Sequence, residues 1–423
     1  MRVVLVYPRF EKFAAGPSAG LPAAPGPWSF RMPPSLAIPI LAQLLPPGAD
    51  CRVVDRNLEP GPVPDDADLY AFSFFTPQAA DAYAEADRLL ALGKTVVMGG
   101  LHPSAFPEDA LPHCRSLCVG EAEGAWPRML ADLRRGRLRR LYRAAEVSAA
   151  RILSGGPAAR QGRPGYDWAP ALISAARGCP CGCSHCAVPI AQGQTLRLRP
   201  LRRVLAEAAS CPGREFFLID DLLLLDLPRI RAYMRRLCAG LAPLRPRMFA
   251  SASPALGPEP EFLDALAAAG TRHLYMVFAD DPASVRILSG HRAARERFFL
   301  LARGLEARGI ILFASFGLGF DFAGEEQFEA VAELCRQARI RVAEFFIATP
   351  FPGTPLWRQT ASSGRLLQPI DWSLFNGGHA VFRPRRMPPE RLEQGFRDLW
   401  SSFYKEPARC ADAEDVARGA ASS

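Results

Sequence analysis

Hydrophobic positions in the first third of the chain fall in short unbroken runs, separated by stretches of helical period. "RVVLVYP" (2–8) is apolar at nearly every position, and "ADCRVVDRN" (49–57), "LYAFSFFT" (69–76), "KTVVMGG" (94–100) and "SLCVG" (116–120) repeat the pattern. Between them, "PSLAIPILAQLLP" (34–46), "PQAADAYAEADRLLALG" (77–93) and "EGAWPRMLADLRRG" (123–136) place apolar residues at helical spacing. Strands apolar on both faces, alternating with helices, predict a parallel, doubly wound sheet over residues 1–143. Such sheets bind ligands in the crevice at the carboxyl ends of their strands.

Residues 144–170, rich in Ala, Gly, Pro and Arg, predict a linker. A second βα series follows, with strands at 171–178, 214–221, 247–253, 273–280, 311–320 and 342–350 separated by helical patterns. It predicts a partial (β/α)6 barrel over 171–370, with its chemistry at the carboxyl ends of the strands. The extension 371–423 contains "PPERLEQGFRDLWSSFYK", which predicts a terminal helix. The expected class is therefore α/β: a Rossmann-like domain, a partial barrel and a short C-terminal helical region.

Composition narrows the setting. The chain has 423 residues, too many for one ordinary core, and 49% of them are hydrophobic. No run of 18 uncharged apolar residues occurs, so no membrane span is expected. "MRVVLVYPRF" is too short an apolar run for a signal peptide, which points to the cytoplasm and reduced thiols. Eleven cysteines, an odd number without a regular framework, then favour metal over disulfides. The net charge of +8 comes largely from Arg spread along helix faces; the basic stretch 134–143 lacks interleaved aromatics, and no nucleic-acid partner is expected.

The chemistry concentrates in "RGCPCGCSHCAVP" (177–189), where Cys179, Cys183 and Cys186 stand in the spacing C-x3-C-x2-C just after the first strand of the second series. Three thiolates on one loop can hold three irons of a cubane and leave the fourth without a protein ligand. Thiolates also select zinc, but structural zinc usually pairs two separated knuckles, and no second one follows. Cys238 and Cys335 lie singly on helical patterns and read as core thiols.

This stretch resembles the signature of radical S-adenosylmethionine (SAM) enzymes, and the strand before it and partial barrel after it fit that superfamily. The resemblance implies a [4Fe-4S] cluster on Cys179, Cys183 and Cys186 whose open iron binds SAM, reductive cleavage of SAM to a 5′-deoxyadenosyl radical, and an external electron donor of flavodoxin or ferredoxin type. Two departures stand out: His185 occupies a position that is usually aromatic, and Cys181 adds a fourth thiol. By the same resemblance Asp220 and Asp221, at the end of strand two, would hold the methionyl amine, and a carboxylate suits an ammonium. Ser251 and Ser253 would meet the ribose, and Gly317 would allow close approach. Strand four offers Asp280 one place beyond the glutamate frequent in relatives.

A doubly wound domain ahead of such a barrel resembles the cobalamin-binding members. Asp55, Ser73 and the pair Gly99–Gly100 stand where those proteins carry D-x-H-x-x-G, S-x-L and Gly-Gly, with Asn57 in place of the histidine. Gly120, Glu121 and Gly124 of "VGEAEGAWP" fall at a strand end in the expected crevice. "TPFPGTPLW" (349–357) and "DWSLFNGGHAVFRP" (371–384) are similar to this subgroup as well. The implied cofactors are the cluster, SAM and cobalamin. The implied activity is C-methylation of an unactivated carbon on a small-molecule or natural-product intermediate. The alternatives are non-methylating chemistry (cyclisation, ring contraction, oxidation) and a non-catalytic cluster or zinc protein. Asn57 implies cobalt without a histidine from that motif, His102 being the other candidate. The loop 16–34, with Trp28, Phe30, Arg31 and Met32, is expected to cover the cobalamin's upper face.

Overall fold

The computed structural model describes residues 1–10, 35–155, 171–220 and 227–405. The first sheet contains β1 (Arg2–Tyr7), β2 (Asp50–Asp55), β3 (Leu69–Ser73), β4 (Thr95–Gly99), β5 (Ser116–Val119) and β6 (Leu141–Arg143), in the order β2-β1-β3-β4-β5-β6. All neighbours are parallel. The unbroken apolar runs have a simple cause. Val3, Leu5 and Tyr7 of β1 pack toward the helices Ala37–Gln43 and Ala122–Arg134, while Val4 and Val6 pack toward the helix Ala79–Ala91 on the opposite face. The strand order reverses between β1 and β3, which opens a crevice at their carboxyl ends.

Strand β6 falls in the basic stretch and was not expected. Tyr142 makes it a strand: the ring is buried in the core, and the hydroxyl donates to Asp132 Oδ2 at 2.9 Å. Arg137 and Arg139 flank the same carboxylate at 3.4 and 3.6 Å, and Arg140 caps the carbonyls of Leu111 and Cys114. Part of the local positive charge is therefore spent on closing this edge.

The second sheet contains β7 (Ala171–Ile173), β10 (Glu215–Leu218), β11 (Arg247–Ala252), β12 (Thr271–Phe278), β13 (Ile311–Leu318) and β14 (Val342–Ile347), parallel throughout, in the order β14-β13-β12-β11-β10-β7. Helices cross between consecutive strands on the outer face, as in a partial barrel. The expected strand 171–178 is broken. After β7 the chain turns out and forms β8 (Ala176–Arg177), which pairs antiparallel with β9 (Arg197–Leu198). The carboxylate of Asp220 causes the break: it accepts the backbone N–H of Ala175 at 2.6 Å and of Ala176 at 2.9 Å, taking both donors out of the ladder. The β8–β9 hairpin brackets the cysteine-rich loop.

The helix Pro389–Phe403 covers β14, the sheet's edge. Trp400 is 0% exposed, and its indole N–H donates to the Phe345 carbonyl at 3.2 Å. Tyr404 bonds both the N–H and the C=O of Ala343. Trp400→Ala leaves a large cavity and exposes that edge, so chemical denaturation should show a loss of about 3–5 kcal/mol. Among the described residues no helix is long and apolar enough to cross a membrane.

Candidate functional site

A cavity of about 330 Å³ lies between the two sheets. On one side it meets the strand ends at Ser73, Gly99 and Gly100 and the turn at Gly120–Glu121; on the other it meets Ser174, Arg177, Gly178 and Asp220. It continues as a slot into the first domain, past Ala71, Val97 and Cys118 on the sheet and Trp126 and Met129 on the helix Ala122–Arg134. Small side chains on the sheet wall leave this room. Among the described residues that line it there is no histidine and no lysine.

The crevice rim is set by backbone constraints. Gly100 has φ +110°, and a Cβ there would overlap the backbone of Phe74. At Gly100 the close neighbour is the chain itself, and the contact seats Phe74 and Phe75 in the cavity wall. The Gly120 N–H donates to Ser104 Oγ at 3.0 Å. Glu121 is buried: it receives Arg197 at 2.6 Å and the Val147 N–H at 2.6 Å. The next acid, Glu123, takes Arg177 at 2.8 Å and is held below the usual carboxylate range; burial pushes it up, but Arg177 outweighs that.

The candidates for a lower cobalt ligand lie elsewhere. His102 is 1% exposed with both ring nitrogens engaged, Nδ1 with Thr76 Oγ1 at 3.2 Å and Nε2 with Tyr83 Oη at 3.0 Å and Asp109 at 3.1 Å. Asn57 ties the loops after β1 and β2: its Oδ1 accepts the Phe10 N–H, and its Nδ2 donates to Pro8 O and Asp55 Oδ1. Neither side chain lines the cavity.

The cysteine loop leaves β8 at Gly178 and is braced on several sides. The Cys179 N–H donates to Gly193 O at 3.1 Å, and the Leu356 N–H donates to Ser184 O at 2.9 Å. Asp280, just past β12, takes the Ser184 N–H at 2.9 Å and lies 3.2 Å from His185 Nδ1. Burial raises the Asp280 carboxyl, but these two bonds prevail and hold it low. His185 packs edge-on against Phe320 at 5.3 Å and near Phe346 at 6.1 Å. Gly317 makes room for both phenyl rings, since a Cβ there would lie 2.6 Å from Phe320 and 2.8 Å from Phe346. Its space is thus filled by the aromatic nest beneath His185.

Cys179 is buried, and Cys183 and Cys186 are half-buried. Burial, with Asp281 and Asp280 nearby, pushes the free Cys183 thiol up to about 12. The Cys181 thiol is raised further by its hydrogen bond with Cys179 and by burial. Among the described residues no three His, Cys, Asp or Glu groups converge as one metal ion requires. A cubane takes each thiolate at a different iron and fits a donor set spread along one loop.

Asp220 reaches the cavity wall with its carboxylate already holding the turn before the loop, including Ser174 Oγ at 2.9 Å. Burial raises it to about 6 against the pull of those bonds. Ser251 lies next to the end of β11 and Ser253 just past it; both are buried, Ser253 Oγ accepts the Ala255 N–H at 3.1 Å, and neither lines the cavity. Asp221 and the loop 16–34 lie outside the described residues. The sequence reasoning missed Glu123, Arg177 and Arg197 as one network, although Glu123 stands two places from Glu121 and Arg177 opens the quoted cysteine stretch.

No family model matches the chain. It is 28% identical over 356 residues to the bacteriochlorophyllide d C-12(1)-methyltransferase of Chlorobaculum tepidum, covering 81% of this chain and 75% of that protein. It is 26% identical to the bacteriochlorophyllide d C-8(2)-methyltransferase of the same organism, covering 84% of this chain and 82% of the relative. Among solved structures, the radical SAM methyltransferase TsrM of Kitasatospora setae, with cobalamin and a [4Fe-4S] cluster bound, superposes with a TM-score of 0.64 at 18% identity, over 96% of this chain and 89% of that one. The cobalamin-dependent SAM radical enzyme OxsB superposes at 0.68 and 13% identity, over 95% of this chain and 67% of that one. These likenesses show the fold: a Rossmann-like domain followed by a partial (β/α) barrel.

Proposed function

We infer that this chain is a cobalamin-dependent radical SAM enzyme, a C-methyltransferase acting on an unactivated carbon of a small molecule, with residues 1–143 as its cobalamin domain and 171–370 as its barrel. The observation that carries the reading is the single cavity joining the strand-end crevice at Ser73 and Gly99 to the root of the cysteine loop at Arg177 and Gly178. Two cofactors that must reach one carbon need such a shared space. When bound, the cluster and SAM supply hydrogen-atom abstraction, and cobalamin carries the methyl group.

The chain's own groups divide the remaining work. Cys179, Cys183 and Cys186 are the cluster ligands, and cluster binding must displace their protons. The slot past Ala71, Val97 and Cys118, with Ser73 and Gly99 at its mouth, would hold part of the cobalamin. Asp220 holds the turn that aims the loop, and Asp280 holds the loop through Ser184 and His185. An external electron donor and a reducing cytoplasm complete the reading. The similarity to bacteriochlorophyllide methyltransferases makes a tetrapyrrole the first substrate class to try.

The test is anaerobic reconstitution with iron, sulfide and hydroxocobalamin, then addition of methyl-labelled SAM together with titanium(III) citrate, which takes the cobalt from Co(III) to Co(I) and reduces the cluster. Label should stay with the protein-bound corrinoid after gel filtration. Deoxyadenosine release without bound label would favour the non-methylating alternative. Because His102 is spent and no described histidine lines the cavity, electron paramagnetic resonance of the cob(II) state should show no hyperfine splitting from a protein nitrogen, and His102→Gln should leave that spectrum unchanged. Nitrogen splitting lost in that variant would place His102 on the cobalt.

A further inference from the structure

The described structure holds a buried charge network that the chemistry above leaves unused. Arg197 meets Glu121 in a forked pair at 2.6 and 3.0 Å, and Arg177 meets Glu123 in another at 2.8 and 2.9 Å. Arg177 also approaches Glu121 at 3.7 Å, joining the two pairs. The side chains of Glu121 and Glu123 are 3% and 5% exposed, and both arginines are 11% exposed. Two buried arginines thus meet two buried acids, each pair forked as guanidinium and carboxylate geometry prefers, and the half-exposed Glu146 approaches Arg197 Nε at 3.5 Å from the rim.

The connections give the network its meaning. The acids sit at the start of the helix Ala122–Arg134, directly after β5 of the first sheet. The arginines sit on β8 and β9, the two strands that bracket the cysteine loop. Arg177 is two residues from Cys179, and it lines the same cavity as Glu121 and Glu123. The network also gathers the connection between the domains: Val147 donates to Glu121 and Leu153 to Glu123, while Arg197 reaches the Val147 and Gln192 carbonyls.

We propose that Glu121, Glu123, Arg177 and Arg197 form a clamp that fixes the separation of the two cofactor sites, so that hydrogen abstraction and group transfer meet at one carbon. They are positioning residues, acting through the loop and the crevice. The assignment rests on the functional reading above, since only two sites that work together need a fixed spacing. Arg177 is the pivot, because any shift of its anchor is passed through Gly178 to Cys179.

The test uses the full chain, reconstituted anaerobically with cluster and cobalamin, in Glu123→Gln, Arg197→Gln and Glu123→Asp. The readouts are amide hydrogen exchange over residues 176–199 and the magnetic interaction between cob(II) and the reduced cluster, which reports their separation. Removing one partner of a buried pair should speed that exchange by about tenfold or more and broaden or weaken the interaction, with iron content kept. Glu123→Asp, which keeps the charge but shortens the reach, should fall between the wild type and Glu123→Gln. Wild-type exchange and interaction in both glutamine variants would overturn the clamp. Should the glutamine variants fail to fold, Glu123→Asp decides: faster exchange with iron kept supports the clamp, and wild-type exchange overturns it. A wild-type chain that takes up no cobalamin would remove the functional reading, while the exchange measurements would still decide whether the network ties the two domains.

Discussion

Cys179→Ala, Cys183→Ala and Cys186→Ala should each abolish SAM cleavage, whereas Cys181→Ala should retain it. The three proposed ligands sit on a loop whose backbone is fixed by bonds to Gly193, Asp280 and Leu356. A cubane with two protein ligands has two open irons and is not held. Cys181 differs because its thiol is hydrogen-bonded to Cys179 and its side chain packs against the barrel core, which an alanine can also do. Its loss removes one weak sulfur contact, worth under about 1 kcal/mol. The measurements are iron and sulfide per chain and 5′-deoxyadenosine formed with dithionite. Wild-type deoxyadenosine in any of the first three variants, or none in the fourth, would show that the ligands have been misassigned.

Gly178→Ala should be nearly as damaging, for a steric reason. Gly178 has φ +87°, and a Cβ there would overlap the Thr195 carbonyl across the loop base. The backbone conformation alone costs a non-glycine residue about 1–3 kcal/mol. The overlap adds more and must part the chain at the point where β8 becomes the cysteine loop. Gly48 is the control, since it has φ +75° with no atom within 4 Å of an added Cβ. Gly48→Ala should therefore cost only the conformational part and leave iron loading intact. Gly178→Ala should lower stability further and lose most of the iron. Equal iron content in the two variants would contradict the tight loop base.

Much of this was legible in the chain, because buried parallel strands must be apolar on both faces. Val3 to Tyr7 and Ile311 to Leu318 announce themselves by that demand, and the C-x3-C-x2-C spacing is local. What stayed hidden depends on contacts across long separations. Nothing near 171–178 shows that Asp220, more than 40 residues on, will take two backbone donors and break the strand. Glu121 read as a crevice ligand because it stands at a strand end; its partner Arg197 is 76 residues away. His102 read as a possible metal ligand, and only the fold brings Thr76, Tyr83 and Asp109 around it. The Asp280–His185 contact links two places where the chain differs from the family pattern, the aromatic position before the third cysteine and the end of strand four. An imidazole in the aromatic position can accept a carboxylate partner that a phenyl ring could not.

The most direct test of the central claim is the cobalamin-to-iron ratio of the reconstituted full chain beside that of Ala71→Phe, which fills the slot from the floor of β3. The wild type should hold about one cobalamin and about four irons per chain, and the variant should keep the iron and lose the cobalamin. Cobalamin retained in full by the variant, or iron without cobalamin in the wild type, would contradict the account.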